Sequence, residues 1–106
     1  MPRPAPPTAI PRLSNKEAIV LELLRGGEGL YGLQLVARSD GRLKRGTVYV
    51  TLGRMEAKGY VVSAEETETS EAGTLSRRLY RPTALGLRVA KAWSTLVHAF
   101  RAAETT

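Results

Sequence analysis

Between Lys44 and Lys58 the chain sets charged and hydrogen-bonding side chains at helical spacing: Lys44, Arg45, Thr47, Tyr49 and Arg54. Groups of this kind hold phosphate oxygens. At 3.6 residues per turn they surround a face made of Gly46, Val50, Gly53 and Ala57, while Val48, Leu52 and Met55 fall on the opposite side as an apolar stripe that must be buried. Small residues between basic ones let a helix backbone approach another surface closely. A B-DNA major groove, about 12 Å wide, admits such a helix.

Other reactive chemistry is sparse. His98 is the only histidine, and no Asp or Cys accompanies it to make a triad or a metal cluster. Gly26-Gly27-Glu28-Gly29 lacks the preceding strand and the following Lys-Ser/Thr of a phosphate loop. The carboxylates of Glu65, Glu66, Glu68 and Glu71 belong to a solvated segment, a poor setting for acid–base work. The expectation is a protein that is not an enzyme and carries no metal or cofactor. Cysteine is absent, which excludes disulfides and fits a reducing compartment.

A length of 106 residues suffices for one small domain, which gains from a partner chain. The formal charge is +6, from 16 Lys and Arg against 10 Asp and Glu. Its distribution says more than its total. Residues 42–58 hold Arg42, Lys44, Arg45, Arg54 and Lys58 against Glu56, and residues 77–91 hold Arg77, Arg78, Arg81, Arg88 and Lys91 with no acid. Such clusters are footprints of phosphate binding. No apolar run approaches the roughly 18 residues of a membrane span. Met1–Pro7 has no apolar core of a secretory signal, so a cytoplasmic location is expected.

The elements that must position the basic helix can be read in order. Residues 1–12 contain five of the six prolines and are expected to form an arm, either an untethered tail or one whose Arg3 and Arg12 touch a DNA backbone. Ser14 with Glu17 makes a capping box, Ile19, Val20, Leu23 and Leu24 supply a buried stripe, and Gly26-Gly27 ends this first helix. A second helix spans about Tyr31 to Arg38, with Leu33, Leu35 and Val36 apolar. Asp40-Gly41 turns into the third helix, giving a helix-turn-helix whose second member is the recognition element. Tyr60-Val61-Val62 and Leu79-Tyr80 read as strands around a loop at Glu65–Glu71 and a turn at Ala72-Gly73, which makes a wing. From Thr83, a fitting N-cap, a last helix runs to about Ala102. Leu85, Val89, Ala92, Leu96, Ala99 and Ala103 recur along it at spacing 4-3-4-3-4, beside Trp93 and Phe100. This seam predicts a dimerisation helix, the alternative being a helix folded onto its own core.

Leu13-Ser14-Asn15-Lys16-Glu17, Tyr31-Gly32, Gly46-Thr47-Val48-Tyr49, Leu52, Arg54-Met55-Glu56, Lys58-Gly59, Arg77–Thr83 and Gly86, in this order and spacing, resemble the PadR family of winged helix-turn-helix transcriptional regulators. The likeness covers about residues 13–90. It departs at Lys44, where the family often has a serine cap, at Val50, where proline commonly follows the tyrosine, and at Pro82 in place of an apolar residue. The resemblance implies a mainly α fold with a small β-hairpin, organised as an arm (1–12), a winged helix-turn-helix (13–83) and a C-terminal dimerisation helix with its tail (84–106).

The expected function is a homodimeric regulator, a repressor, binding an inverted-repeat operator in double-stranded DNA. Arg45, Thr47 and Tyr49 are expected on phosphate and sugar, Val50 on a thymine methyl, and Arg54 on a guanine or a phosphate. Lys44, Arg77 and Arg78 would add phosphate contacts. Leu85, Val89, Trp93, Leu96 and Phe100 would pair the subunits. The acidic wing segment would either point away from the duplex or pair across the hairpin with Arg77 and Arg78. Two alternatives stand beside this. PadR-like proteins include members that take planar aromatics between dimer halves, which implies an aromatic effector near Trp93 and Phe100. A winged helix serving only protein–protein contact would also explain the acids.

Overall fold

A computed structural model describes residues 13–104. The proline-rich arm expected at 1–12 lies outside the described residues, as does the end of the tail. The order is α1 (Asn15–Leu23), β1 (Leu30–Tyr31), α2 (Gly32–Arg38), α3 (Arg45–Ala57), β2 (Val61–Ser70), β3 (Gly73–Pro82) and α4 (Ala84–Glu104). The strands form one antiparallel sheet in the order β1-β3-β2. A two-stranded hairpin was expected; β1 adds a third strand through Leu30 opposite Tyr80 and Tyr31 opposite Leu79. Two residues leave no period to read in the sequence, and tertiary pairing alone makes them a strand.

The capping box at the start of α1 forms as expected. Glu17 N donates to Ser14 Oγ at 3.1 Å, and Ser14 N donates to Glu17 Oε1 at 2.9 Å. Glu17 has a second role that its spacing does not announce. Its carboxylate is buried and takes the Lys58 ammonium at 2.8 and 3.0 Å, tying the beginning of α1 to the end of α3. Burial pushes the Glu17 carboxyl up, but the hydrogen bonds from Lys58 and Ser14 and the Lys58 charge prevail, leaving it below its ordinary value of 4.5.

Beyond Lys58, α3 ends in a Schellman arrangement. Gly59 takes φ +79°, its N–H donates to the Glu56 carbonyl at 3.0 Å, and Tyr60 N–H donates to the Met55 carbonyl at 2.9 Å. The freed Gly59 carbonyl accepts the Thr83 hydroxyl at 2.6 Å, and the same hydroxyl oxygen accepts Gly86 N–H at 2.9 Å as the N-cap of α4. Gly86 is buried so closely on the backbone just before β2 that a Cβ would overlap the Tyr60 carbonyl oxygen. Both ends of α3 are anchored: at its start, buried Ser39 closes the turn from α2, donating to the Val36 carbonyl at 2.8 Å and accepting Leu43 N–H at 2.9 Å. In that turn Asp40 and Gly41 hold φ +55° and +82°.

One core serves all elements. It joins Val20, Leu21 and Leu24 of α1 and its end, Leu30, Leu35, Leu43, Val48, Leu52 and Met55, Tyr60, Val61 and Tyr80 of the sheet region, and Val89 and Ala90 of α4. Leu21, absent from the expected stripe of α1, is fully buried, whereas Ile19 and Leu23 pack at its edge. Of the apolar residues of α2, Leu35 is buried, whereas Leu33 is 48 % exposed. It sits in the first turn of a seven-residue helix, where period gives little guidance. The supposed loop Glu65–Glu71 is mostly strand: β2 continues to Ser70 and pairs with β3 to the turn before Gly73. Acidic residues are poor strand formers, but cross-strand pairing overrides that preference.

Glu17→Gln should lower stability at neutral pH by about 1–2 kcal/mol. This is less than a sealed ion pair would lose, because the Lys58 side chain is 41 % exposed. Since the folded carboxyl titrates below its unfolded counterpart, the wild-type advantage is complete above pH 4.5 and fades as pH falls through the lower folded value. Urea unfolding of both proteins across pH 2–7 checks this through their convergence in acid.

Candidate nucleic-acid interface

The two faces of α3 separate as its period demands. Val48, Thr51, Leu52 and Met55 are buried, while Gly46, Val50, Gly53 and Ala57 face solvent with Arg45, Tyr49 and Arg54 around them. Val50 is 57 % and Tyr49 50 % exposed, large values for apolar and aromatic side chains in a domain of this size. A Cβ built on Gly46 or Gly53 meets nothing within 4 Å. Neither glycine takes positive φ. Nothing within the described fold requires glycine at either place.

Two other elements fix the flanks of this face. On the α1 side, Lys16 Nζ donates to Thr47 Oγ1 at 3.1 Å, bringing to the helix start a cation that sequence reasoning missed. Only the packing of α1 on α3, 31 residues apart in the chain, puts it there. On the α2 side, the Tyr49 ring lies over Gly32, where a Cβ would come within 2.6 Å of Cε1. That approach explains a glycine at the start of α2 and fixes where the phenol stands. Lys44, the departure from a serine cap, makes no side-chain capping bond and stays exposed beside Arg45.

The wing divides its charges between two faces. Successive side chains alternate across a strand, and buried Leu30, Val61 and Tyr80 mark the side turned to the helices. Ser63, Glu65, Ser76 and Arg78 continue that side. Val62, Glu66, Glu68, Leu75 and Arg77 occupy the other. Arg77 and Arg78, expected to act together on phosphates, therefore point in opposite directions. Arg77 is committed on the outer face, bonded to Glu68 at 3.4 Å and stacked 4.2 Å from the centroid of the Tyr31 ring, whose hydroxyl donates to Glu66. That bond to Glu66 is the main reason the Tyr31 phenol is held above its ordinary value. Among the described residues Arg78 makes no ion pair, although Glu65 stands opposite it on β2: its Nη1 donates to Ser63 Oγ at 2.9 Å, and Ser63 donates to Glu56 Oε1 of α3 at 2.8 Å. The expected pairing of acids across the hairpin holds for Arg77 and not for Arg78.

Between this inner wing edge and the start of α2 lies a cleft of about 750 Å³, lined by Tyr31, Leu33, Gln34, Tyr49, Leu75 and Arg78 among others. It is continuous with the exposed face of α3 through Tyr49. Together they form a groove whose walls carry cations, hydroxyls and the Glu65 carboxylate, with apolar patches on its floor; the cations favour a polyanion whose sugar and base edges are partly apolar.

The seam expected on α4 is split. Val89 is 5 % exposed, packed into the chain's own core, so it has no surface to give a partner. Val89 therefore belongs to the core and not to the expected pairing seam. Trp93 is half-buried and lines a groove against α1 with Ile19, Val97 and His98. Leu85 and Phe100 remain outside, 41 % and 62 % exposed, with Ala92 and Ala99 exposed and Leu96 half-buried between them. Among the described residues no group of three or more His, Cys, Asp or Glu is arranged to hold a metal ion, and no helix is long and apolar enough to cross a membrane.

The model of the transcriptional regulator PadR-like family matches residues 20–92. A PadR family transcription regulator from Clostridium difficile R20291 is similar in structure, with a TM-score of 0.75 and 23 % identity over 87 % of this chain and 96 % of that one. A PadR family transcriptional regulator from Eggerthella lenta DSM 2243 gives 0.65 and 28 % over 84 % and 77 %. Bacillus subtilis PadR, solved in complex with operator DNA, gives 0.64 and 19 % over 73 % and 45 %. The first and third likenesses speak for the fold alone. No curated protein matches the chain in sequence.

Because the fold does not use the bare glycines, replacing them should help it. Gly53→Ala, in the helix interior, is expected to raise stability by about 1 kcal/mol, and Gly46→Ala in the first turn by less. Thermal unfolding of the two variants checks the sign; a loss at Gly53 would mean that the helix is distorted or covered there.

Proposed function

The chain belongs to the PadR-like family of transcriptional regulators, and from that premise we propose that it is a repressor that binds double-stranded DNA as a homodimer. The outer face of α3 enters the major groove. The observation that carries this reading is the bare Gly46–Val50–Gly53–Ala57 surface, which the fold leaves open at a cost in helix stability and rims with Lys44, Arg45, Thr47, Tyr49 and Arg54. The operator complex of the Bacillus subtilis relative supports it by likeness of fold.

In this reading Arg45, Thr47, Tyr49, Lys44 and Lys16 hold phosphates and sugars and so fix register, while Val50 and Arg54 face base edges. Arg78, on the inner side of the wing, adds a backbone contact. Arg77 is held by Glu68 and Tyr31 and adds none. The acids Glu66 and Glu68 sit on the far side of the wing, where they repel the duplex least, while Glu65 shares the inner side with Arg78 and accepts the Ser76 hydroxyl. Leu85, Leu96, Phe100 and the alanines between them are the surface that α4 offers a second copy. Paired so, two α3 helices about 34 Å apart would read an inverted repeat. Such a regulator works in the cytoplasm, beside the chromosome.

Selection of bound sequences from random duplex DNA tests the reading. A twofold-symmetric site with half-sites about one turn apart is expected. On that site Arg54→Ala should weaken binding and lower the salt slope by about one unit if it holds phosphate, or relax one base position if it reads guanine. Binding and slope both unchanged by Arg54→Ala would overturn this docking.

A further inference from the structure

Arg45, Arg54 and Glu56 are the charged residues within α3, and Glu56 is the one acid among them. A carboxylate on the flank of a helix that lies against phosphates repels them, so by charge alone its removal would tighten binding. Its surroundings give it another use. Glu56 Oε1 accepts the Ser63 hydroxyl at 2.8 Å, and Ser63 Oγ in turn accepts Arg78 Nη1 at 2.9 Å. Glu56 lies on the last turn of α3, Ser63 at the base of β2 and Arg78 on β3, so the chain of bonds spans the angle between helix and wing.

Tyr80 lies next to them, cross-strand from Ser63. Buried beneath them, its phenol is raised first by desolvation and next by Glu56, and is lowered by Arg78. A guanidinium on a long side chain has many rotamers in water, and ordering it on binding costs affinity. Two hydrogen bonds that hold it in advance remove part of that cost.

We infer that Glu56 is a positioning residue: through Ser63 it aims the Arg78 guanidinium at the DNA backbone and sets the wing relative to α3. The inference rests on the DNA reading above and adds to it a carboxylate that favours polyanion binding. Glu56 touches no phosphate itself. Gln at this place retains the acceptor oxygen without the charge; Ala removes both.

The experiment is a titration of a mixed-sequence duplex by the full chain and its variants at several salt concentrations. Glu56→Ala should bind about threefold to tenfold more weakly near 0.1 M salt, with the salt slope lowered by about one unit, as for a lost phosphate contact. Ser63→Ala, which changes no charge, should do the same. Glu56→Gln should bind at least as tightly as wild type. Adding Arg78→Ala to Glu56→Ala should change little further. Circular dichroism melting establishes that each variant is folded at the assay temperature. If Glu56→Ala and Ser63→Ala bind as tightly as wild type or more tightly, with slope unchanged, Glu56 is only a repelling charge and the inference is wrong. A wild-type chain with no salt-dependent binding at all overturns the DNA reading, and this inference with it.

Discussion

The exposed face of α3 can be offered to a partner only because both ends of the helix are held from behind, and the buried carboxylate of Glu17 is central to that hold. It completes the cap of α1 and, with the same oxygens, takes the ammonium of Lys58 at the end of α3. A buried carboxylate left without those donors would cost several kcal/mol. The pairing therefore selects one packing of the two helices. At the next residue, Gly59, Thr83 makes a similar pair of hydrogen bonds, its hydroxyl donating to the Gly59 carbonyl and accepting Gly86 N–H of α4. α1, α3, the wing base and α4 meet within two residues of sequence, so α3 cannot shift without disturbing all of them.

Held in this way, α3 is free to be unfavourable on its outer side. Gly46 and Gly53 lower its intrinsic helicity, and Val50 and Tyr49 expose apolar and aromatic surface. The buried stripe of Val48, Leu52 and Met55 supplies the compensating packing. Local propensity and global role conflict here, and such conflicts are expected where a protein keeps a surface for something other than its own fold. The wing shows the same division at lower stakes. Its inner side continues the groove with Arg78, and on its outer side Arg77 is paired with Glu68 and stacked on Tyr31.

Much of this was legible in the residues. The capping box at Ser14 and Glu17, the 3.6-residue period of α3, the Asp40-Gly41 turn and the Thr83 cap are local patterns, and local patterns survive in sequence. What depended on distant pairing was not. Nothing near Leu30-Tyr31 announces a strand, since its partner lies fifty residues on. Lys16 reads as a helix-start lysine until α1 is packed on α3. The run Glu65–Glu71 looks like loop because acids are poor strand formers, and its register with β3, which separates Arg77 from Arg78, follows only from the pairing. Val89 fell into a seam by spacing alone, because one helical period cannot say which of two adjacent faces the chain covers itself. Within α3, the residues proposed to touch DNA are those whose exposure its period predicts; Lys16 and Arg78 join them only through the fold.

The central claim is that the glycine-bearing face of α3 is the surface that meets the duplex. Amide chemical-shift mapping by NMR tests it most directly, with the full chain titrated by a short duplex carrying its selected site. The account predicts the largest changes at Gly46, Val50, Gly53 and their neighbours in α3, with smaller ones at Lys16 and Arg78. Changes concentrated instead on α4 or on the outer side of the wing, with the Gly46 and Gly53 amides unmoved, would contradict it.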